Sequence, residues 1–253
     1  MSDQYPYHLL MGRPFVGPHV DYFAGTDTKE HLEKSLRSQP IDWHYRNKHV
    51  EYRYNTHGFR APEFDEVDWS NSIVIFGCSQ TQGIGLAESE TVSAQLEEIS
   101  GIPVINLGVG GTSMHWSYVN NLILKKHLPM PLGIINYWTS CKRMTWYGVE
   151  ENVSIMPVVW KHFYARYYLQ LMKLGLSLDD IDHDDNFKAQ IIRDTVCILW
   201  ENTRYAEATW IQDTASALEC KLINSIDYAR DLGHHGPQTA RLAAEYFAEQ
   251  LNL

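Results

Sequence analysis

Residues 73–86 read Ile-Val-Ile-Phe-Gly-Cys-Ser-Gln-Thr-Gln-Gly-Ile-Gly-Leu. The run Ile73-Val74-Ile75-Phe76 is short, apolar and rich in β-branched residues, and it stops at Gly77, the pattern of a strand buried on both faces of a parallel sheet. A chain that leaves such a strand as Gly-x-Ser sets Ser79 at the carboxyl end of the sheet. Open α/β folds build their sites there, and the turn that follows can aim backbone amides at an anion. Ser79 is therefore a candidate nucleophile. Other glycine-turn patterns fail on spacing. From Gly77 the next glycine is Gly83 with no Lys-Ser/Thr after it, so the stretch is not a P-loop, and Gly83-Ile84-Gly85 lacks the third glycine of a dinucleotide turn. Thr81 stands where a G-x-S-x-G elbow needs its second glycine.

Working outward, Thr91 to Ser100 reads as a helix, Pro103 to Asn106 as a second strand, Thr112 to His127 as a helix after a glycine-rich turn, and Leu132 to Trp138 as a third strand. Strand, helix, strand, helix, strand implies right-handed βαβ units, hence a short parallel sheet with helices on both faces, a three-layer α/β class. Beyond residue 150 the pattern turns helical. Trp160, Phe163, Tyr164, Tyr167, Tyr168 and Leu171 share one helical face, a core or subunit-contact stripe. Phe187 to Ala217 reads as mostly helical, Cys220 to Ile226 as a last strand, and Pro237 to Leu251 as a closing helix. The acidic run 179–185 reads as a solvated interhelical loop. Residues 1–70, rich in aromatic, His and Pro residues, read as an ordered but irregular N-terminal extension of an α/β domain over 71–253, with a helical insertion around 150–218.

The 253 residues are 44% hydrophobic and 21% charged, ample for a sizeable core and unlike a disordered chain. A formal charge of −10 without basic clusters argues against nucleic-acid or anionic-membrane binding. Cys78, Cys141, Cys197 and Cys220 are far apart and form no C-x-x-C pair, so reduced thiols are expected rather than a zinc knuckle or disulfide framework. Neither a signal-peptide pattern nor an eighteen-residue apolar run is found, which leads to the expectation of a soluble protein, cytoplasmic by default. The twelve His show no metal-ligand spacing, and no metal or cofactor is expected.

Near the other end of the chain stands Asp231-Leu232-Gly233-His234-His235-Gly236-Pro237, between the last expected strand and the last helix. A carboxylate three residues before an imidazole can hold its Nδ1–H through one tight loop and leave Nε2 to take a serine proton. Between the two blocks, Val104 to Ser113 (VINLGVGGTS) carries glycines that let a backbone amide approach a ligand closely.

Together these blocks resemble the SGNH (GDSL-type) hydrolase family. FGCSQTQGIG is similar to its block I, with Cys78 in place of the usual Asp; Asn106-x-Gly108-x-x-Gly111 is similar to block II; and Asp231-x-x-His234 with Gly236-Pro237 is similar to block V. Asn55-Thr56-His57-Gly58-Phe59-Arg60 resembles the N-x-x-G-x-R segment that precedes block I in some members. The resemblance implies a flavodoxin-like sheet and an esterase working through an acyl-enzyme. It makes Ser79 the nucleophile, His234 the general base and acid, and Asp231 its orienter, with the amides of Ser79 and Gly108 in the oxyanion hole. The third block departs from the family: its asparagine donor is missing from Tyr137-Trp138-Thr139-Ser140-Cys141-Lys142-Arg143, which resembles a W-T-S-x-x-R variant. Thr139 or Ser140 is the expected replacement, with Arg143 as a further source of help. The substrate class implied is a small acyl ester or an acylated carbohydrate. Alternatives are acyl transfer to another hydroxyl by the same triad, or a noncatalytic carbohydrate-binding or assembly protein, alone, as a homo-oligomer or in a larger particle.

Overall fold

The computed structural model describes residues 19–23, 25–143, 146–147, 154–155, 173 and 178–253. In chain order the elements are β1 (His19–Val20), α1 (Lys29–Ser38), β2 (Tyr52–Arg53), β3 (Ile73–Gly77), α2 (Ser79–Gln82), α3 (Val92–Ser100), β4 (Val104–Gly108), α4 (Met114–His127) and β5 (Gly133–Trp138). A two-stranded ribbon β6 (Trp146–Tyr147) and β7 (Ser154–Ile155) follows, then α5 (Leu178–Leu199), β8 (Arg204–Thr209), α6 (Gln212–Leu218), β9 (Lys221–Leu222) and α7 (Pro237–Leu251).

Five strands form one parallel sheet in the order β4-β3-β5-β8-β9. That is the doubly wound, flavodoxin-like order. The chain steps outward from β3 to β4, then returns to the other side of β3 at β5, so a crevice opens above the carboxyl ends of β3 and β5. Side-chain alternation sorts the core into two layers. Ile73 and Ile75 of β3 pack with α3 and α7 through Leu96, Ala244 and Phe247. Val74 and Phe76 face the other way, with Leu124 of α4, Val196 of α5 and Trp200 just after it.

Local chemistry sets the helix boundaries. Thr91 caps α3 by accepting the Ala94 N–H, and Gly101 ends it in the left-handed region at φ 68°. Ser113 caps α4 through the Trp116 N–H, and Pro237 opens α7 at its first turn.

Four expectations need correction. The segment read as mostly helical, 187–217, contains the fourth strand, β8, between α5 and α6. Its Glu207 breaks the apolar pattern of a buried strand, and is accommodated because Arg193, Trp138 and Tyr205 all donate to its carboxylate, at 2.8, 3.0 and 3.0 Å. The acidic run 179–185 is helical and lies within α5. The last strand is only Lys221–Leu222, an edge strand paired with Ala208 and Thr209. Finally, the described part of 1–70 is not irregular throughout: it holds α1 and the antiparallel β1–β2 pair. Tyr45, Val50, Tyr52, Phe59 and Phe64 from this segment lie in the same two core layers as the sheet. The aromatic stripe from Trp160 to Leu171 lies outside the described residues.

Candidate active site

Strand β3 delivers the chain to the sheet's carboxyl edge, and Gly77 is required there. A Cβ on it would collide with Thr81 Oγ1 and sit 2.7 Å from the Tyr137 carbonyl. Ser79 begins the short helix α2, closed by the Gln82 N–H on the Cys78 carbonyl at 2.9 Å and the Gly83 N–H on the Ser79 carbonyl at 3.1 Å. The Ser79 side chain is buried, with its Oγ 3.8 Å from Cys78 Sγ. Its own amide belongs to the first turn of α2 and has no intrahelical acceptor.

A guanidinium braces the loop after Ser79. Arg60, whose side chain has no exposed surface, donates to the carbonyls of Gly83 (2.7 Å), Leu86 (3.0 Å) and Gln82 (3.3 Å) and pairs through Nε with Glu88 at 2.7 Å. Asn55 shapes the turn that presents Arg60, taking the amides of His57 and Phe59 on Oδ1 at 3.1 and 3.0 Å and donating to Pro62 O at 2.9 Å. The N-x-x-G-x-R segment is thus a clamp on the turn that follows Ser79.

The glycine-rich turn after β4 is tied to the same place. Asn106 donates to Thr81 O at 2.8 Å and to Ser93 Oγ at 3.1 Å, while its Oδ1 accepts the Gly108 N–H at 2.9 Å. The Gly108 amide, expected in the oxyanion hole, is therefore already spent on Asn106. Val109 N–H goes to Gly77 O (3.1 Å), Gly110 N–H to Gln82 Oε1 (2.6 Å) and Thr112 N–H to Val109 O (3.3 Å). Within residues 108–112, Gly111, at φ 83°, is the one whose amide finds no acceptor among the described residues. Counting amides, not spacing alone, singles it out.

The Asp231–His234 loop folds as its spacing suggests. Asp231 Oδ2 lies 2.6 Å from His234 Nδ1, and a carboxylate in this pair can only accept, so Nδ1 carries the proton and Nε2 is left as the base. Asp231 Oδ1 takes the amides of Gly233 and His234, both at 3.1 Å. Burial works against the Asp231 carboxylate, yet the hydrogen bond and charge of His234 and the two amides outweigh it, holding the acid below its ordinary range. His235 has a different role. It packs edge-on against Trp210 at 6.1 Å, its amide donates to Gln80 Oε1 at 2.9 Å, and burial followed by the neighbouring His234 charge pushes its imidazole down to about 4.

One further bond and a close backbone approach bring the blocks together. Arg230 N–H donates to Gly85 O at 3.1 Å, and a Cβ on Gly85 would lie 2.8 Å from that of Ala229. Ser79 and His234 sit on these stitched loops, each one residue from the bonded pair Gln80–His235. Of the expected relay, the Asp231–His234 link is made, whereas no hydrogen bond joins His234 to Ser79 Oγ in this structure.

At the end of β5 the two candidate hydroxyls differ. Thr139 is buried and its Oγ1 is closed off without a partner. Ser140 is half-buried, and its Oγ accepts the Lys142 N–H at 3.3 Å, which orients the oxygen and leaves its own proton to donate. Arg143 reaches the Thr112 carbonyl at 3.3 Å, with its guanidinium 5.9 Å from the centre of the Trp210 ring. Sequence reasoning gave Gln82 no role and named Gly111 only as part of the block II pattern; the signal for Gln82 was its place in the S-Q-T-Q run. A separate cavity of about 780 Å³ lies between α3, the open edge of β4 and residues 53–62, lined by Arg53, Arg60, Glu88, Glu97 and Asn106, and none of Ser79, Asp231 or His234 borders it. Among the described residues, no group of three His, Cys, Asp or Glu is placed to hold a metal ion, and no helix is long and apolar enough to cross a membrane.

No protein-family model matches the chain, and no curated protein matches it. Solved structures do. A member of the lipolytic protein G-D-S-L family from Veillonella parvula is 14% identical with a TM-score of 0.40, over 70% of this chain and 96% of that one. An acetyl xylan esterase from the rumen bacterium Butyrivibrio proteoclasticus is 10% identical with a TM-score of 0.43, over 74% of this chain and 66% of that one. The SGNH-hydrolase family esterase AlinE4 is 16% identical with a TM-score of 0.33, over 74% of this chain and 75% of that one. The likeness is one of α/β fold and extends no further. Strand order and site geometry, read from this chain itself, carry the argument.

Proposed function

We propose that this protein is a serine-dependent ester hydrolase of the SGNH type. The observation that carries the reading is the 2.6 Å bond between Asp231 and His234 Nδ1, on a loop stitched to the turn that bears Ser79 at the carboxyl edge of the sheet. In the proposed route Ser79 Oγ attacks the acyl carbon while His234 Nε2 takes its proton. The tetrahedral oxyanion is held by the amides of Ser79 and Gly111 and by the Ser140 hydroxyl, and His234 returns the proton to the leaving alcohol. Water, deprotonated by His234, then releases the acid. The Ser79–His234 hydrogen bond forms with substrate in place, as catalytic hydrogen bonds commonly tighten in the Michaelis complex. This route calls on no Lewis acid or organic cofactor. Small acyl esters, including acetyl groups on carbohydrate, are the proposed substrates.

The test is hydrolysis of p-nitrophenyl acetate and butyrate by the wild type against Ser79→Ala, with fluorophosphonate labelling of both. Labelling and turnover confined to the wild type support the reading. Turnover that survives Ser79→Ala, or a wild type that neither turns over nor labels, overturns it; in the second case a noncatalytic binding or assembly role takes its place. Adding an acceptor alcohol separates transfer from hydrolysis by the product formed.

A further inference from the structure

Arg230, the residue before Asp231, is buried, 3% exposed, against a carboxylate that is 1% exposed. Asp27 accepts from Arg230 Nε on Oδ1 at 3.0 Å and from Nη2 on Oδ2 at 2.7 Å, a two-pronged pair across 203 positions of chain. The same guanidinium donates to the Asp21 and Val50 carbonyls at 2.5 and 3.5 Å and lies 5.1 Å from the centre of the Tyr22 ring. Tyr52, fully buried, donates its hydroxyl to Asp27 Oδ2 and accepts the Gly85 N–H at 2.7 Å. Gly85 belongs to the loop after Ser79, and its carbonyl in turn receives the Arg230 amide. One closed circuit therefore runs Asp27, Arg230, Gly85, Tyr52 and back to Asp27.

We propose that Asp27 and Tyr52 are positioning residues for the site: Asp27 holds the Asp231–His234 loop through Arg230, and the Tyr52 hydroxyl locks that loop to the Ser79 loop through Gly85. Neither touches the reacting atoms. A fixed separation between the two loops is what a proton relay spanning them requires, since small misplacements of reacting groups cost rate steeply. A guanidinium buried against a matched carboxylate gives a single orientation, because any slippage leaves a charge unpaired in a dry interior. The segment ahead of the sheet is on this view part of the catalytic scaffold. The proposal rests on the reading of Ser79, Asp231 and His234 given above.

The test uses the full chain with Asp27→Asn and Tyr52→Phe, the latter keeping the ring in the core if the former fails to fold. Two readouts are taken: kcat and KM for p-nitrophenyl acetate, and site-resolved amide hydrogen exchange. Both variants are expected to lose about tenfold to a hundredfold in kcat with KM unchanged. The Arg230 and His235 amides should exchange at least about tenfold faster while Ile75 in β3 keeps its wild-type protection. Wild-type exchange at Arg230 and His235 in either folded variant overturns the proposal, as does uniform acceleration across the sheet, which marks a purely structural role. If the wild type itself proves inactive, the functional reading fails on its own, and the exchange pattern still decides whether the circuit holds the two loops together.

Discussion

His234 donates its Nδ1 proton to Oδ2 of Asp231 at 2.6 Å, and Oδ1 of the same carboxylate takes the backbone amides of Gly233 and His234. The acid is thus fixed by its own loop before it orients the imidazole. Asp231→Asn preserves the shape but sets an amide NH₂ or a weaker acceptor against Nδ1, so the imidazole is no longer held as the tautomer whose Nε2 is basic. The expected result is a fall in kcat on the order of 10⁴-fold with a much smaller change in KM, measured with p-nitrophenyl acetate. A loss expressed in KM instead would place Asp231 in substrate binding.

The two hydroxyls after β5 make opposite predictions. Ser140 has an oriented oxygen with a free proton, whereas Thr139 Oγ1 is enclosed. Ser140→Ala should slow single-turnover acylation by about a hundredfold, in the range seen when one oxyanion donor is removed. Thr139→Val should leave acylation unchanged, because it deletes a hydroxyl that has no partner. The reverse ranking would mean that the Thr139 side chain turns into the pocket when substrate binds.

Gly108 is a packing requirement. A Cβ there would lie 2.6 Å from the Gln82 backbone nitrogen and 2.7 Å from Thr81 Cβ, atoms anchored in the turn that begins at Ser79. Gly108→Ala should cost about 3 kcal/mol, the upper end for overpacking. Gly101→Ala, with nothing within 4 Å but φ at 68°, should cost only about 1 kcal/mol from backbone strain. Urea unfolding of the two variants checks the difference.

Acid should weaken the fold through His235. Its ordinary value is 6.5, and burial followed by the His234 charge lowers it to about 4 in the folded chain. Between these values the unfolded state binds more protons, so stability falls as pH drops from 6.5 toward 4, by no more than about 1.4 kcal/mol per pH unit from this group. His235→Gln should flatten that slope while wild type keeps it. Asp231, held low, adds a loss only at still more acid pH, as its carboxylate is protonated.

What residues 73–251 show locally could be read from the sequence. The strand into Ser79, the helices beginning near Thr91 and Thr112, Pro237 opening α7, and Asp231 reaching His234 all depend on groups a few positions apart, and short-range geometry is written in spacing. Tertiary structure decided the rest. Strand β8 was hidden because Glu207 looks wrong for a buried strand until Arg193, Trp138 and Tyr205 are brought to it. Spacing could place Gly108 near the site, yet which amide of the turn stays free depended on Gly77 and Gln82, about thirty positions earlier, claiming Val109 and Gly110. The tie of Asp27 to Arg230 was equally invisible, because a charge reveals its partner only when folding removes water from both and leaves each as the other's solvation.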